Sequence, residues 1–160
     1  NNMHPELYYG ANLGLTWKEW SLFMNFQGVS RSTVSTELSS IYWPLYGNNK
    51  SISMHYLENY WSPFTTDAKY PRLTTLPNEN NFRRSTLWTE KGDFLKLRNV
   101  ELSYNIPDHF FSDVALNGCR IYLSGMNLFS WDSVDIMDPE QISMDYPSTK
   151  SFSLGINLIF

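Results

Sequence analysis

The chain has 160 residues, a formal net charge of −4 and one cysteine, Cys119. The acidic balance, with no Lys/Arg cluster, argues against a nucleic-acid partner, and a lone cysteine allows no internal disulfide. No run approaches the ~20 apolar residues of a membrane helix. A mean hydropathy of −0.37 does not argue against a membrane barrel, whose strands are only half apolar and whose outer loops are polar.

The chain opens at Asn1 with neither a leader nor an initiator methionine, as expected of a processed product or a piece of a longer polypeptide. Strict alternation begins at residue 7. Leu7, Tyr9, Ala11, Leu13 and Leu15 alternate with Tyr8, Gly10, Asn12, Gly14 and Thr16, a period of two that reads as a strand over 7–16. A tight turn near 16–19 leads to a second strand over 19–29. There Trp20, Leu22, Met24 and Phe26 share one face; Ser21, Asn25 and Gln27 share the other, with Phe23 as the exception. The second faces are small and polar but carry hardly any charge. That suits a wet lumen better than the outside of a soluble core.

Residues 30–92 then form a very long loop rich in aromatics: Tyr42, Trp43, Tyr46, Tyr56, Tyr60, Trp61, Phe64 and Tyr70. So long a loop would be out of place in a compact soluble domain. Flat rings with a polar handle can stack on sugars or grip a partner; they can equally pack on one another to order the loop. Trp43, Tyr46, Tyr56, Tyr60 and Trp61 are the candidate substrate or lid contacts. Arg72 joins them as a guanidinium able to pair with a carboxylate. The tripeptide Asn49-Lys50-Ser51 matches a glycosylation acceptor, a motif short enough to recur by chance.

A third strand is expected over 93–106. Its apolar parity shifts between Leu97 and Val100, which places a bulge near 98–99. A modest connection, with a helical turn near 109–115, leads to a fourth strand over 119–131. A second long loop, 131–149, carries Asp132, Asp135, Asp138 and Glu140. Hard cations such as calcium take oxygen clusters, but the calcium-loop spacing and its turn glycine are missing. The last strand, 149–160, puts Phe152, Leu154, Ile156, Leu158 and Phe160 on one face; Ser151, Ser153, Gly155 and Asn157 lie on the other. Its length matches the ~9–11 residues of a tilted membrane strand.

The expected fold is therefore all-β: about five strands of an antiparallel transmembrane β-barrel with long extracellular loops. Connections alternate short, long, short, long, as tight periplasmic turns and extended outer loops do, which places the C-terminus on the periplasmic side. Trp17, Trp20, Tyr104 and Phe160 then approach one interface, where an aromatic girdle belongs. Five strands leave open edges that lipid does not tolerate, so further strands are expected in a longer polypeptide or a partner chain. His4, His55 and His109 are far apart, with no metal-ligand spacing. No nucleophile elbow or other catalytic signature is present, so neither an enzyme nor a cofactor is expected.

Several stretches resemble one family. Residues 88–107, from Trp88 through Gly92, Leu95, Asn99, Val100, Leu102 and Tyr104 to Pro107, resemble the W-x-x-x-G-S-Y-L-R-L-K-N-V-T-L-G-Y-x-L-P run of SusC/RagA-type TonB-dependent transporters of Bacteroidetes. Residues 120–129 resemble their R-V-Y-x-S-G-Q-N-L-F. Asp138-Pro139-Glu140, Tyr146-Pro147 and the terminal strand follow in the family's order, and His4-Pro5-Glu6, Tyr9-Gly10 and Phe26-Gln27-Gly28 precede them. Departures are Asp93-Phe94 for Ser-Tyr, Lys96 for Arg and Met126 for Gln.

The resemblance implies the C-terminal section of a barrel of about 22 strands, with a plug domain and TonB box that this chain does not contain. It implies active import of oligosaccharides or peptides, driven by the TonB complex, beneath a SusD-like surface lipoprotein. The alternatives are a barrel serving as a non-transport scaffold in an envelope complex, or a soluble aromatic-rich glycan-binding β module. Phe160, with Leu158 and Ile156 behind it, looks like the terminal-strand signal read by the barrel-assembly machinery. Deleting Phe160 or replacing it with Ala is expected to lower the amount of assembled barrel in the outer membrane. Heat-modifiable migration on gels measures this; wild-type levels of the folded band would refute the role.

Overall fold

A computed structural model of the chain describes residues 4–36, 52–76, 80, 81, 83, 85–110, 116–135, 137–141 and 148–160. Its elements are β1 (Leu7–Trp17), β2 (Trp20–Ser30), β3 (Thr33–Ser35), α1 (Met54–Asn59), β4 (Thr89–Lys91), β5 (Phe94–Ile106), β6 (Gly118–Asp132) and β7 (Ser151–Ile159), with single 3₁₀ turns at Thr86–Trp88 and Asp108–Phe110. They form two units: a large sheet, and a unit built from the long connections.

The sheet runs β1-β2-β5-β6-β7, every neighbouring pair antiparallel. Strand register turns five separate alternations into continuous rows. One row reads Trp17–Trp20–Tyr104–Ile121–Ile156 and the next Leu15–Leu22–Leu102–Leu123–Leu154. Then follow Leu13–Met24–Val100–Gly125–Phe152, Ala11–Phe26–Leu97–Phe129 and Tyr9–Gly28–Leu95–Trp131. Between them lie rows such as Asn12–Asn25–Asn99–Met126–Ser151 and Thr16–Ser21–Ser103–Tyr122–Gly155. A one-residue slip of any strand would carry its apolar set across to the polar side.

The parity change read in β5 has a structural cause. Between Asn99 and Leu97, β5 takes two steps while β2 takes one, from Asn25 to Phe26, and β6 takes three, from Met126 to Phe129. Arg98 is the residue inserted against β2, and Asn127 with Leu128 faces it on β6. Asn127 adopts a left-handed φ of 52°, which asparagine tolerates better than most residues. The bulge returns Leu97 and Leu95 to the apolar side.

Two glycines admit neighbouring rings. Tyr9 lies across Gly28 and Tyr122 across Gly155, their direct cross-strand partners, and a Cβ at either glycine would meet the ring. The Tyr9 hydroxyl thereby reaches past β2 to donate to the Phe94 carbonyl at 3.0 Å. The β1–β2 turn consists of Lys18 and Glu19, with Lys18 at a φ of 53°. Beyond β5 the chain makes the 3₁₀ turn at Asp108–Phe110; the rest of the helical turn expected over 109–115 lies outside the described residues.

The apolar rows are uncovered. Leu123 is 49% exposed, Leu154 75% and Phe152 70%, whereas Ser103 on the polar side is 2% exposed. A soluble sheet covers its apolar face; here most of the apolar rows stand open, the arrangement of a barrel wall in lipid. From Tyr104 to Leu95 the wall climbs nine residues, about 30 Å of strand at ~3.4 Å per residue. Tilted ~45°, that spans roughly 21 Å of bilayer. Among the described residues, the outer edges of β1 and β7 pair with no other strand.

The second unit has its own core. Tyr56, Tyr70 and Trp88 are buried with Val134 and Met137, and Val34, Ile52, Tyr60 and Leu73 pack around them. β3 and β4 pair through Thr33↔Lys91, Val34↔Glu90 and Ser35↔Thr89. Below that ribbon, the Gly92 amide donates to the Ser32 carbonyl at 2.9 Å and the Ser32 amide to Asp93 Oδ1 at 2.9 Å. Helix α1 starts because Ser53 Oγ caps the Tyr56 amide at 3.2 Å, and it stops where Tyr60 turns extended. At six residues it depends on burying Tyr56 rather than on its own propensity.

An arginine at Leu123, flanked in its row by Leu102 and Leu154, is expected to cost about 2–4 kcal/mol. The same residue at Ser124, on the polar face, should cost much less. Chemical unfolding of the complete barrel in lipid vesicles compares them; equal losses would refute the assignment of the two faces.

Candidate functional site

The polar face of the sheet is a connected surface. Arg120 pairs directly across with Asn105, but its guanidinium runs along β5 to bond Ser103 Oγ at 3.1 Å and Glu101. Arg98, at the bulge, donates to Gln27 Oε1 at 3.0 Å and to Asn127 Oδ1 at 3.3 Å. Asn25 Nδ2 donates to Asn12 Oδ1 at 2.6 Å. The face thus presents Arg98 and Arg120 against Glu101, among amides, hydroxyls and glycines, with Lys96 buried beside the Phe94 ring. Such a wall can exchange hydrogen bonds with a passing polar solute while its own charges stay fixed.

The apolar face carries aromatic rings at both ends. Trp20 and Tyr104 sit 4.8 Å apart at 47°, with Trp17 in the same row and Lys18 Nζ 5.1 Å from the Trp17 ring. At the other end Phe129 and Trp131 stack at 6.0 Å. These are the two interfacial girdles of a membrane barrel. Ile156 stands in the Trp17 row, Leu158 pairs with Cys119, and Phe160, 80% exposed, lies beyond β7.

In the loop unit the aromatic residues divide by burial. Tyr56 is 1% exposed and stacks on Tyr70 at 4.7 Å, which stacks on Trp88 at 5.9 Å. Its hydroxyl is spent on the Pro71 carbonyl at 2.9 Å. Tyr56 is therefore a core residue that cannot reach a ligand, and half-buried Tyr60 packs against the same cluster. Trp61 and Arg72 remain exposed. So does Phe64, at 97%, held on a turn by the Ser62 Oγ bond from the Thr65 amide at 3.1 Å. Trp43, Tyr46 and the tripeptide Asn49-Lys50-Ser51 lie outside the described residues.

Charge closes this unit. Lys69 Nζ is 2.7 Å from Glu90 Oε1 and 3.4 Å from Asp135 Oδ2. Burial works against the charged ammonium, yet the two carboxylates together hold its pKa above the usual lysine range. His55 Nε2 lies 3.0 Å from the Tyr70 hydroxyl and 3.9 Å from Asp135. Burial pushes both the Tyr56 and Tyr70 hydroxyls up, and for Tyr70 the nearby Glu90 and Asp135 add to the effect. Neither phenol ionises at ordinary pH. The acidic loop residues are engaged locally: Ser130 Oγ donates to Asp132 at 2.5 Å, and Asp138 Oδ1 accepts the Glu140 amide at 3.0 Å. Among the described residues, no three His, Cys, Asp or Glu side chains stand where they could hold one metal ion.

The polar-face network was only half legible beforehand. Alternation sorts Arg120 and Asn25 to the non-lipid side, whereas Asn127 has the parity of Leu123 and Phe129 and owes its place to the bulge. The links from Arg120 to Glu101 and from Arg98 to Gln27 depend on register and on the bulge, which local sequence does not supply.

The fold and its two faces define a section of transmembrane β-barrel, and the comparisons with known proteins agree. No family model matches the chain. TonB-dependent receptor P3 of Formosa agariphila is 26% identical over 98% of this chain and 16% of its own length. TonB-dependent receptor P26 of the same organism is 22% identical over 98% of this chain and 17% of its own. Solved structures of the RagAB peptide importer match as well. The open-open state has a TM-score of 0.74 at 24% identity, over 99% of this chain and 17% of that one. The closed-closed state has 0.72 at 25%, over 98% and 17%. The chain is thus similar to a section of TonB-dependent receptor barrels, the RagAB importer among them. It spans about a sixth of the length of the relatives it matches.

Replacing Trp88, which is fully buried, with Ala is expected to destabilise the loop unit by about 3–5 kcal/mol. Faster amide hydrogen exchange in α1 and β4, with the sheet still protected, is the expected reading. Unchanged exchange in α1 would show that the aromatic stack is not what orders the loop.

Proposed function

We propose that this section forms part of the wall of an active outer-membrane importer of oligosaccharides or peptides. The observation that carries the proposal is the pairing of a continuous lipid-facing apolar surface with a hydrogen-bonding polar surface on one sheet. A scaffold needs only the first; a path for polar solutes needs both. The long connections would lie outside the cell and the C-terminus on the periplasmic side, with the Trp17–Trp20 girdle at the inner interface. A SusD-like surface lipoprotein would cover the loop end, and energy would come from the TonB complex through the remainder of the protein. Support for import comes from the similarity to RagAB, a peptide importer solved in open-open and closed-closed states. On this reading exposed Trp61, Phe64 and Arg72 would be the loop residues that meet substrate or lid, and Phe160 would be the residue read by the barrel-assembly machinery.

The experiment is uptake by cells carrying the complete protein, using labelled oligopeptides and oligosaccharides as probes. Accumulation should collapse when the TonB system is deleted, and a surface lipoprotein should co-purify with the barrel. Undiminished uptake without TonB would sink the active-import reading.

A further inference from the structure

The apolar rows, from Trp17–Trp20 to Tyr9–Trp131, carry no charged side chain among the described residues. A charge appears at the rim of that face, at the loop end. Lys150 immediately precedes β7 with the parity of Phe152, and it is exposed. Its ammonium sits 5.5 Å from the centre of the Phe129 ring, and Phe129 stacks on Trp131. All three rings of this corner are open: Phe129 is 57% exposed, Trp131 53% and Phe152 70%.

The lysine is placed there by the bulge. Asn127, in its left-handed conformation, donates through Nδ2 to the Thr149 carbonyl at 3.5 Å, tying down the residue before Lys150. The nearest acid along β6, Asp132, has the opposite parity to Trp131 and accepts from Ser130 on the polar side. Nothing acidic therefore competes for the ammonium on the apolar side among the described residues.

We infer that Lys150, Phe129 and Trp131 form a site for the phosphate of a lipid headgroup in the leaflet at the loop end of the barrel. The ammonium and the Trp131 indole N–H supply donors at headgroup depth, and Phe129, Phe152 and Leu154 continue downward as an acyl-chain track. A cation beside an apolar wall gains from an anionic lipid what it cannot gain from a zwitterionic one. The inference rests on the reading of the apolar rows as lipid-facing. It commits to one ligand, a phosphorylated glycolipid of the outer leaflet.

The test uses the complete transporter in detergent, titrated with diphosphoryl lipid A and followed by native mass spectrometry. Lys150→Gln should weaken lipid A retention about fivefold, the worth of one cation near a charged surface. Trp131→Phe should weaken it less. Lipid A stripped of its phosphates should bind wild type and Lys150→Gln alike. Equal retention of diphosphoryl lipid A by the two proteins would overturn the site, as would an equal loss with the dephosphorylated lipid. A transporter that stays monodisperse without detergent would overturn the lipid-facing reading itself, a failure distinguishable from the first.

Discussion

Everything in the sheet rests on strand register. A membrane wall must satisfy each backbone N–H and C=O between strands, because hydrocarbon offers no alternative partner. It must at the same time keep one parity of side chains toward lipid on every strand. With a period of two these demands are coupled: a pairing that slips by one residue satisfies the backbone and ruins the surface. The leucine row through Leu15, Leu22, Leu102, Leu123 and Leu154 shows both demands met across five strands.

The bulge at Arg98 follows from that coupling. β5 alone changes parity along its length, and the change comes where β2 and β6 advance by different numbers of residues. The irregularity also sets the polar face and the rim. It aims Arg98 at Gln27 and Asn127, and Asn127 ties down the residue before Lys150. One inserted residue thus organises features on both surfaces of the wall.

The long connections obey a different rule. Residues 31–93 and 133–147 contribute to a unit with its own aromatic core. Trp88, Tyr70 and Tyr56 give it buried area, while Lys69, Glu90 and Asp135 tie its segments together. Ordering so long a segment costs conformational entropy, and large buried rings offset it. That explains why an aromatic-rich loop need not be a binding surface ring by ring: Tyr56 orders the loop, whereas Phe64 and Trp61 remain open.

The sequence alone determined the five strands of the large sheet, their parity, the bulge and the alternation of short and long connections, because each is a local pattern of period two broken by turn chemistry; the short β3–β4 ribbon and α1, inside the loop expected over 30–92, it did not show. Residues 88–107 and 120–129 also carried the resemblance to TonB-dependent transporters, since it lies in contiguous motifs. Only the tertiary structure decided which polar residues meet across strands, that Tyr56 is core rather than contact surface, and that Lys150 stands over Phe129. These depend on register and packing between segments distant in the chain, and no local periodicity encodes the distance between Arg120 and Glu101 or between Tyr56 and Trp88. The single face that ends in Phe160 was visible as an alternation. That it joins four other strands in unbroken apolar rows was visible only once the strands were paired.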